Sequence, residues 1–176
     1  MKTILKKLSL LLLILATISC DKDNEKASPT NTATYINFSV AGNSKNGTFN
    51  INDDDNNSNQ NIIGLIAGEF ASVEFLDGTQ SMSARFEVPA ATGITEITDT
   101  NPYGHNVGFG FEDIYLEDKA ISVHITEIEF DNMLLLHIKG TFTGTAIHNT
   151  HDPNSGEEIE IPHLVDGEFE YTNPLY

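Results

Sequence analysis

Ala120 to Thr145, AISVHITEIEFDNMLLLHIKGTFTGT, is the stretch whose reading decides the fold. Ile121, Val123 and Ile125 alternate with Ser122, His124 and Thr126, the period of two that marks a half-buried β-strand. Asp131-Asn132 supplies turn residues, and Met133 to Thr145 returns as a second strand. With Phe130 opposite Met133, Ile125 faces Ile138 and His124 faces Lys139. Val123, Ile125 and Ile138 then share one face, and His124, Thr126, His137 and Lys139 share the other. Ile128 and Phe130 fall out of phase with Ile125. A β-bulge near Thr126–Glu127, or a twist that covers both faces with protein, accounts for the slip.

The same alternation extends outward in both directions. Upstream, Tyr35 to Val40 and Thr48 to Ile51 flank the turn residues Gly42 to Gly47, an opening hairpin. Ile62 to Ala67 reads as a buried strand. Phe70 to Leu76 and Ser81 to Val88 flank Asp77-Gly78-Thr79-Gln80, and Val73, Phe75, Met82, Ala84, Phe86 and Val88 form one apolar face. Pro89 ends that strand, because proline has no N–H for the ladder. Ile94 and Ile97 mark one more short alternation. Val107, Phe109 and Phe111 alternate with glycines, as in a strand followed by a turn, although Phe111, Ile114 and Tyr115 would equally serve a single helical turn. Downstream, Asp152 to Gly156 is a loop, Glu157 to Ile161 a short strand and Val165 to Tyr171 the last one. Nothing holds a period of 3.6 over ten residues. Short strands with frequent turn signals predict an all-β chain, a single antiparallel sandwich or barrel over residues 35–176.

The first residues read differently. Lys2, Lys6 and Lys7 precede an apolar run from Leu8 to Ile18, which ends at Ser19-Cys20. A basic segment followed by about 7–15 apolar residues is a secretory signal peptide. The run is too short for a membrane span, which takes about 20 residues. Ala16-Thr17-Ile18-Ser19-Cys20 resembles the lipobox of bacterial lipoproteins, with Thr17 where leucine is usual. The resemblance implies cleavage after residue 19 and acylation of Cys20. As the only cysteine, Cys20 has no partner for an internal disulfide, which suits that role. Asp21-Lys22-Asp23-Asn24-Glu25-Lys26 then resembles the surface-export signal of Bacteroidetes lipoproteins, and implies an outer-membrane lipoprotein exposed at the cell surface. Residues 20–34, small and polar with Pro29, read as a flexible tether. The organisation is thus signal peptide 1–19, anchor and tether 20–34, and β domain 35–176. Ile138-Lys139-Gly140-Thr141-Phe142-Thr143-Gly144 and Val165-Asp166-Gly167-Glu168-Phe169 further resemble the closing strands of small Bacteroidetes lipoproteins. That likeness implies fold and location and carries no catalytic residue with it.

Charge narrows the partners. Losing Lys2, Lys6 and Lys7 with the signal peptide leaves six of the nine basic side chains against 26 acidic ones, a formal charge of −20. Phosphate binding runs on lysine and arginine, so nucleic acid is excluded, as is docking on anionic headgroups. The expected partners are the membrane, through the lipid anchor, and a protein or other cationic partner.

Three constellations are candidate sites. Asp53, Asp55, Asn57 and Asn59 fall at alternate positions, like the oxygen ligands of a Ca²⁺ loop, although Ser58 stands where that loop has glycine and Gly64 where it has glutamate. His148, His151 and His163 offer three nitrogens to Zn²⁺ or a similar ion, without the H-E-x-x-H arrangement of a metalloprotease. Glu157, Glu158, Glu160, Glu168 and Glu170 gather in the last two strands, where two carboxylates about 5–9.5 Å apart would suit glycoside hydrolysis. The chain has no tryptophan to stack on a sugar face. No G-x-S-x-G elbow is present. The reading is a non-enzymatic binding or structural module without a cofactor. A Zn²⁺- or Ca²⁺-dependent site, or an envelope hydrolase, is the alternative.

Overall fold

Period-two alternation becomes ten strands in the computed structural model of the chain, which describes residues 34–53, 60–98 and 105–175. They are β1 (Tyr35–Gly42), β2 (Asn46–Asn52), β3 (Gln60–Ala67), β4 (Phe70–Asp77) and β5 (Met82–Pro89), followed by β6 (Gly93–Thr98), β7 (Asn106–Gly110), β8 (Tyr115–Asp131), β9 (Leu134–His151) and β10 (Glu158–Thr172). The described residues hold no helix. All pairings are antiparallel, in one sheet ordered β2-β1-β10-β9-β8-β7-β5-β4-β3, with β6 pairing β8 off that path.

The sheet is curled into a half-barrel around phenylalanine rings. β10 and β5 are separated by β9, β8 and β7, so a flat sheet would hold them about 19 Å apart. Yet Phe86 of β5 stacks on Phe169 of β10 with ring centroids 4.5 Å apart. Phe38 of β1 likewise meets Phe109 of β7 at 5.1 Å. Phe142 bridges the two groups, 5.0 Å from Phe86 and 5.5 Å from Phe109. Aliphatic residues at alternate positions, including Val73, Val88, Ile121, Val123 and Val165, fill the space around the rings.

The central hairpin carries the correction to register. Its turn is the two-residue pair Asn132-Met133, with Asn132 at a φ of 54°, a backbone that asparagine tolerates. Asp131 therefore faces Leu134, Ile125 faces Gly140 rather than Ile138, and His124 faces Thr141 rather than Lys139. The expected bulge lies at Thr126, between the pairs Ile125–Gly140 and Glu127–Lys139. Further shifts fall at Asp118/Ala120 and Glu129/Phe130. Two extra residues on β8, Lys119 and Thr126, and one on β9, Leu136, add the bend and twist that a curled sheet requires.

Two more expectations change. Ile62 to Ala67 is not a buried strand but the sheet's edge, with Ile63 and Leu65 each 43% exposed. Its hydrophobic run resembles a central strand because its free side closes on protein: Ile66 N–H donates to Met133 O at 3.1 Å. The two short closing strands are one, since β10 continues through Pro162 opposite Ile147 of β9. β9 likewise runs on to His151, well past Thr145.

The rings of Phe38 and Phe142, on the two strands that flank it, leave no room for a side chain at Gly167. A Cβ there would lie 2.4 Å from Asn37 O and 2.7 Å from Phe142 Cζ. Gly167→Ala is expected to destabilise the fold by about 1–3 kcal/mol, as overpacking does. Urea unfolding checks this through a lower midpoint at unchanged slope. An unchanged midpoint would show slack around Gly167.

Candidate functional site

The sequence candidates scatter over the sheet. Asp53 is exposed, and its backbone N–H donates to Thr34 O at 2.8 Å. Asp55, Asn57 and Asn59 lie outside the described residues. His148 and His151, expected in a loop, sit in β9 opposite Ile161 and Glu158. Residues three apart on a strand point to opposite faces, so the two imidazoles diverge. His148 Nδ1 lies 3.4 Å from Tyr115 O.

His163 is fully buried on β10, between Gly42 of β1 and Ala146 of β9. Its Nε2 lies 2.8 Å from Ser44 Oγ and 3.2 Å from the Lys45 backbone N, and its Nδ1 lies 2.9 Å from Ile161 O. A backbone N–H only donates and a carbonyl only accepts. Nε2 is therefore the acceptor, and Nδ1 carries the hydrogen. Both nitrogens are committed to fixing the β1–β2 turn onto β10. Gly42 makes room for the ring, since a Cβ there would come within 2.2 Å of His163 Cδ2. Among the described residues, no three or more His, Cys, Asp or Glu side chains are grouped so as to hold a metal.

Of the glutamates, Glu157, Glu158, Glu160 and Glu168 are exposed. Glu160 pairs with Lys119 at 3.1 Å. Glu170 differs: it is only 8% exposed and accepts from Lys139 Nζ at 2.9 Å and from His137 Nε2 at 3.2 Å. His137 and Lys139 lie on the polar face that alternation predicts, but nothing in the alternation places Glu170 beside them. Lys139 is directly opposite Glu170 across the β9–β10 ladder, a register that only pairing decides. Burial pushes the Glu170 carboxyl up, but the Lys139 and His137 hydrogen bonds outweigh it and leave the group below its ordinary value. The Tyr35 hydroxyl beside it is pushed up by burial and by the negative charge of Glu168.

A third polar group went unrecognised in the sequence as more than turn chemistry. Asp77 is 2% exposed at the end of β4. Its Oδ1 accepts the N–H groups of Thr79 and Gln80 at 2.8 and 3.1 Å, and Oδ2 accepts Gln80 Nε2 at 2.8 Å. Burial raises its carboxyl and these bonds lower it further, to a net depression. The loop it organises has four residues, Gly78 to Ser81, one position later than the expected Asp77 to Gln80. Beside it opens a cleft of about 450 Å³ whose walls include Leu76, Met82, Phe111, Asn61 and Ser83. The volume falls in the range of small-molecule pockets. A smaller depression of about 290 Å³ lies on the outer face among Ser39, Ala41, Thr143, Leu164 and Asp166.

These geometries have a consequence for stability. Glu170 has a lowered pKa in the folded state, so its contribution is present above the ordinary carboxylate value of about 4.3 and is lost as pH falls through the folded value. Glu170→Gln is expected to cost about 1.5–3 kcal/mol at neutral pH, the scale of hydrogen bonds to a charged group. The gap from wild type should narrow on acidification, and urea midpoints measured across pH check it. A gap independent of pH would contradict the ion-pair account. No protein-family model, curated protein or solved structure matches the chain.

Proposed function

We propose that the chain is a lipid-anchored outer-membrane lipoprotein, held by acyl chains on Cys20, whose β domain serves as a non-enzymatic binding or structural module at the cell surface. One observation carries the non-enzymatic part. Among the described residues the buried Asp, His and Glu side chains, Asp77, His163 and Glu170, each direct their hydrogen bonds to fixing strands and turns of the fold. Catalytic acids and bases instead keep a donor or acceptor for substrate, whereas Asp77, which lines the 450 Å³ cleft, has both carboxylate oxygens engaged.

The anchor rests on the apolar run that ends at Cys20. Each buried methylene of an acyl chain contributes about 0.8 kcal/mol, so two or more chains hold firmly where one binds reversibly. The partner class rests on charge. Asp166 and Glu168 are exposed on the outer face of β10, within a chain of net charge −17. Such a surface attracts a basic protein or peptide and repels nucleic acid.

Cys20→Ser is expected to abolish incorporation of a labelled fatty acid and to move the protein out of the membrane fraction. Retention of both would refute the anchor. Pull-down of the wild type from native envelopes, washed with rising salt, checks the partner: a basic protein released by salt is the expected result.

A further inference from the structure

The two ends of the sheet are treated differently. Edge strand β3 meets protein along its free side: besides the Ile66 bond to Met133, the Gly64 N–H bonds the Tyr171 hydroxyl. At the other end β2 pairs only with β1 among the described residues. Edge strands usually carry charges, proline or a bulge that discourage further pairing. β2 reads Asn-Gly-Thr-Phe-Asn-Ile-Asn and has no charge or proline. Across residues 35–52 the one charged side chain is Lys45, in a chain with 26 acidic and 9 basic residues. Phe49, in mid-strand, is only half-buried, although it meets Phe38 at 5.3 Å and Phe111 at 4.8 Å.

We propose that β2 is a dimerisation edge that pairs antiparallel with β2 of a second copy, about a twofold axis at Phe49. The strand is self-complementary in this register. Asn46 faces Asn52 of the other copy, Gly47 faces Ile51 and Thr48 faces Asn50. One step beyond the strand, Lys45 faces Asp53, at both ends by symmetry. A twofold contact uses the same patch on both copies, so this double match of opposite charges follows from one sequence. Lys45 already holds Asp113 at 3.0 Å, and its ammonium has three donors, which leaves hydrogens for Asp53. Two copies this acidic repel each other over most of their surface, and the β1–β2 ribbon is where they can approach without like charges meeting. Continuous pairing would join the two ten-stranded sheets and add cover to the half-buried Phe49.

Cross-linking in cells that make the full chain tests the register. Thr48→Cys and Asn50→Cys are co-expressed as separate chains, since directly opposed strand residues lie within disulfide reach. Both positions are exposed, so the fold tolerates the change. The expected result on mild oxidation is a covalent dimer well above the wild-type background. The mismatched pair, Asn46→Cys with Thr48→Cys, should give none above it. No excess for the matched pair, or an equal excess for the mismatched one, overturns the proposal. Adding Lys45→Glu to the matched pair is expected to cut the yield several-fold. An unchanged yield overturns the charge-paired register.

Discussion

Everything in this fold depends on phenylalanine rings from non-adjacent strands reaching one another across the inside of a single sheet. Phe86 on Phe169 and Phe38 on Phe109 replace water contact with ring contact, and such aromatic pairs add about 0.5–1.5 kcal/mol each beyond simple area burial. They form only if the sheet curls. Curling needs backbone that can bend, which the bulge at Thr126 provides, and room inside for the rings of Phe38 and Phe142, which Gly167 between them leaves. Inside and outside are thereby assigned for every residue on the strands.

That assignment explains where the polar chemistry went. A curled sheet leaves exposed turns and two raw edges, and the buried polar residues sit where those weaknesses lie. Asp77 satisfies the amides of the β4–β5 turn. His163 ties the β1–β2 turn to β10. Glu170 joins Lys139 and His137 on the outer face near the end of β10. Each would leave a desolvated donor or acceptor if its partners were removed, a penalty of about 1–3 kcal/mol. Asp77, His163 and Glu170 are thus joints of the scaffold in the folded chain. The outward face carries small hydroxyl residues and carboxylates such as Asp166 and Glu168.

Much of this was legible from the chain. Alternation alone marked both faces of the Val73 to Val88 hairpin, and all six residues expected inside, from Val73 to Val88, are buried. The out-of-phase Ile128 betrayed the bulge. What alternation hides is register. A strand reads the same whichever residue it is set against, so an Asp131-Asn132 turn would match Ile125 to Ile138, whereas the turn one residue later, at Asn132-Met133, sets it against Gly140. Nor does it distinguish an edge from a centre, because Ile63 and Leu65 are as apolar as core residues.

The sequence by itself determined an all-β, strongly acidic domain, because period-two patterning and side-chain charge are local properties that no partner strand can alter. The tertiary structure alone decided that the strands form one curled sheet, that His163 is buried while His148 is not, and that Glu170 meets Lys139. Those outcomes depend on which distant backbones pair, and pairing is fixed jointly by turn geometry and by how the phenylalanines pack across the interior.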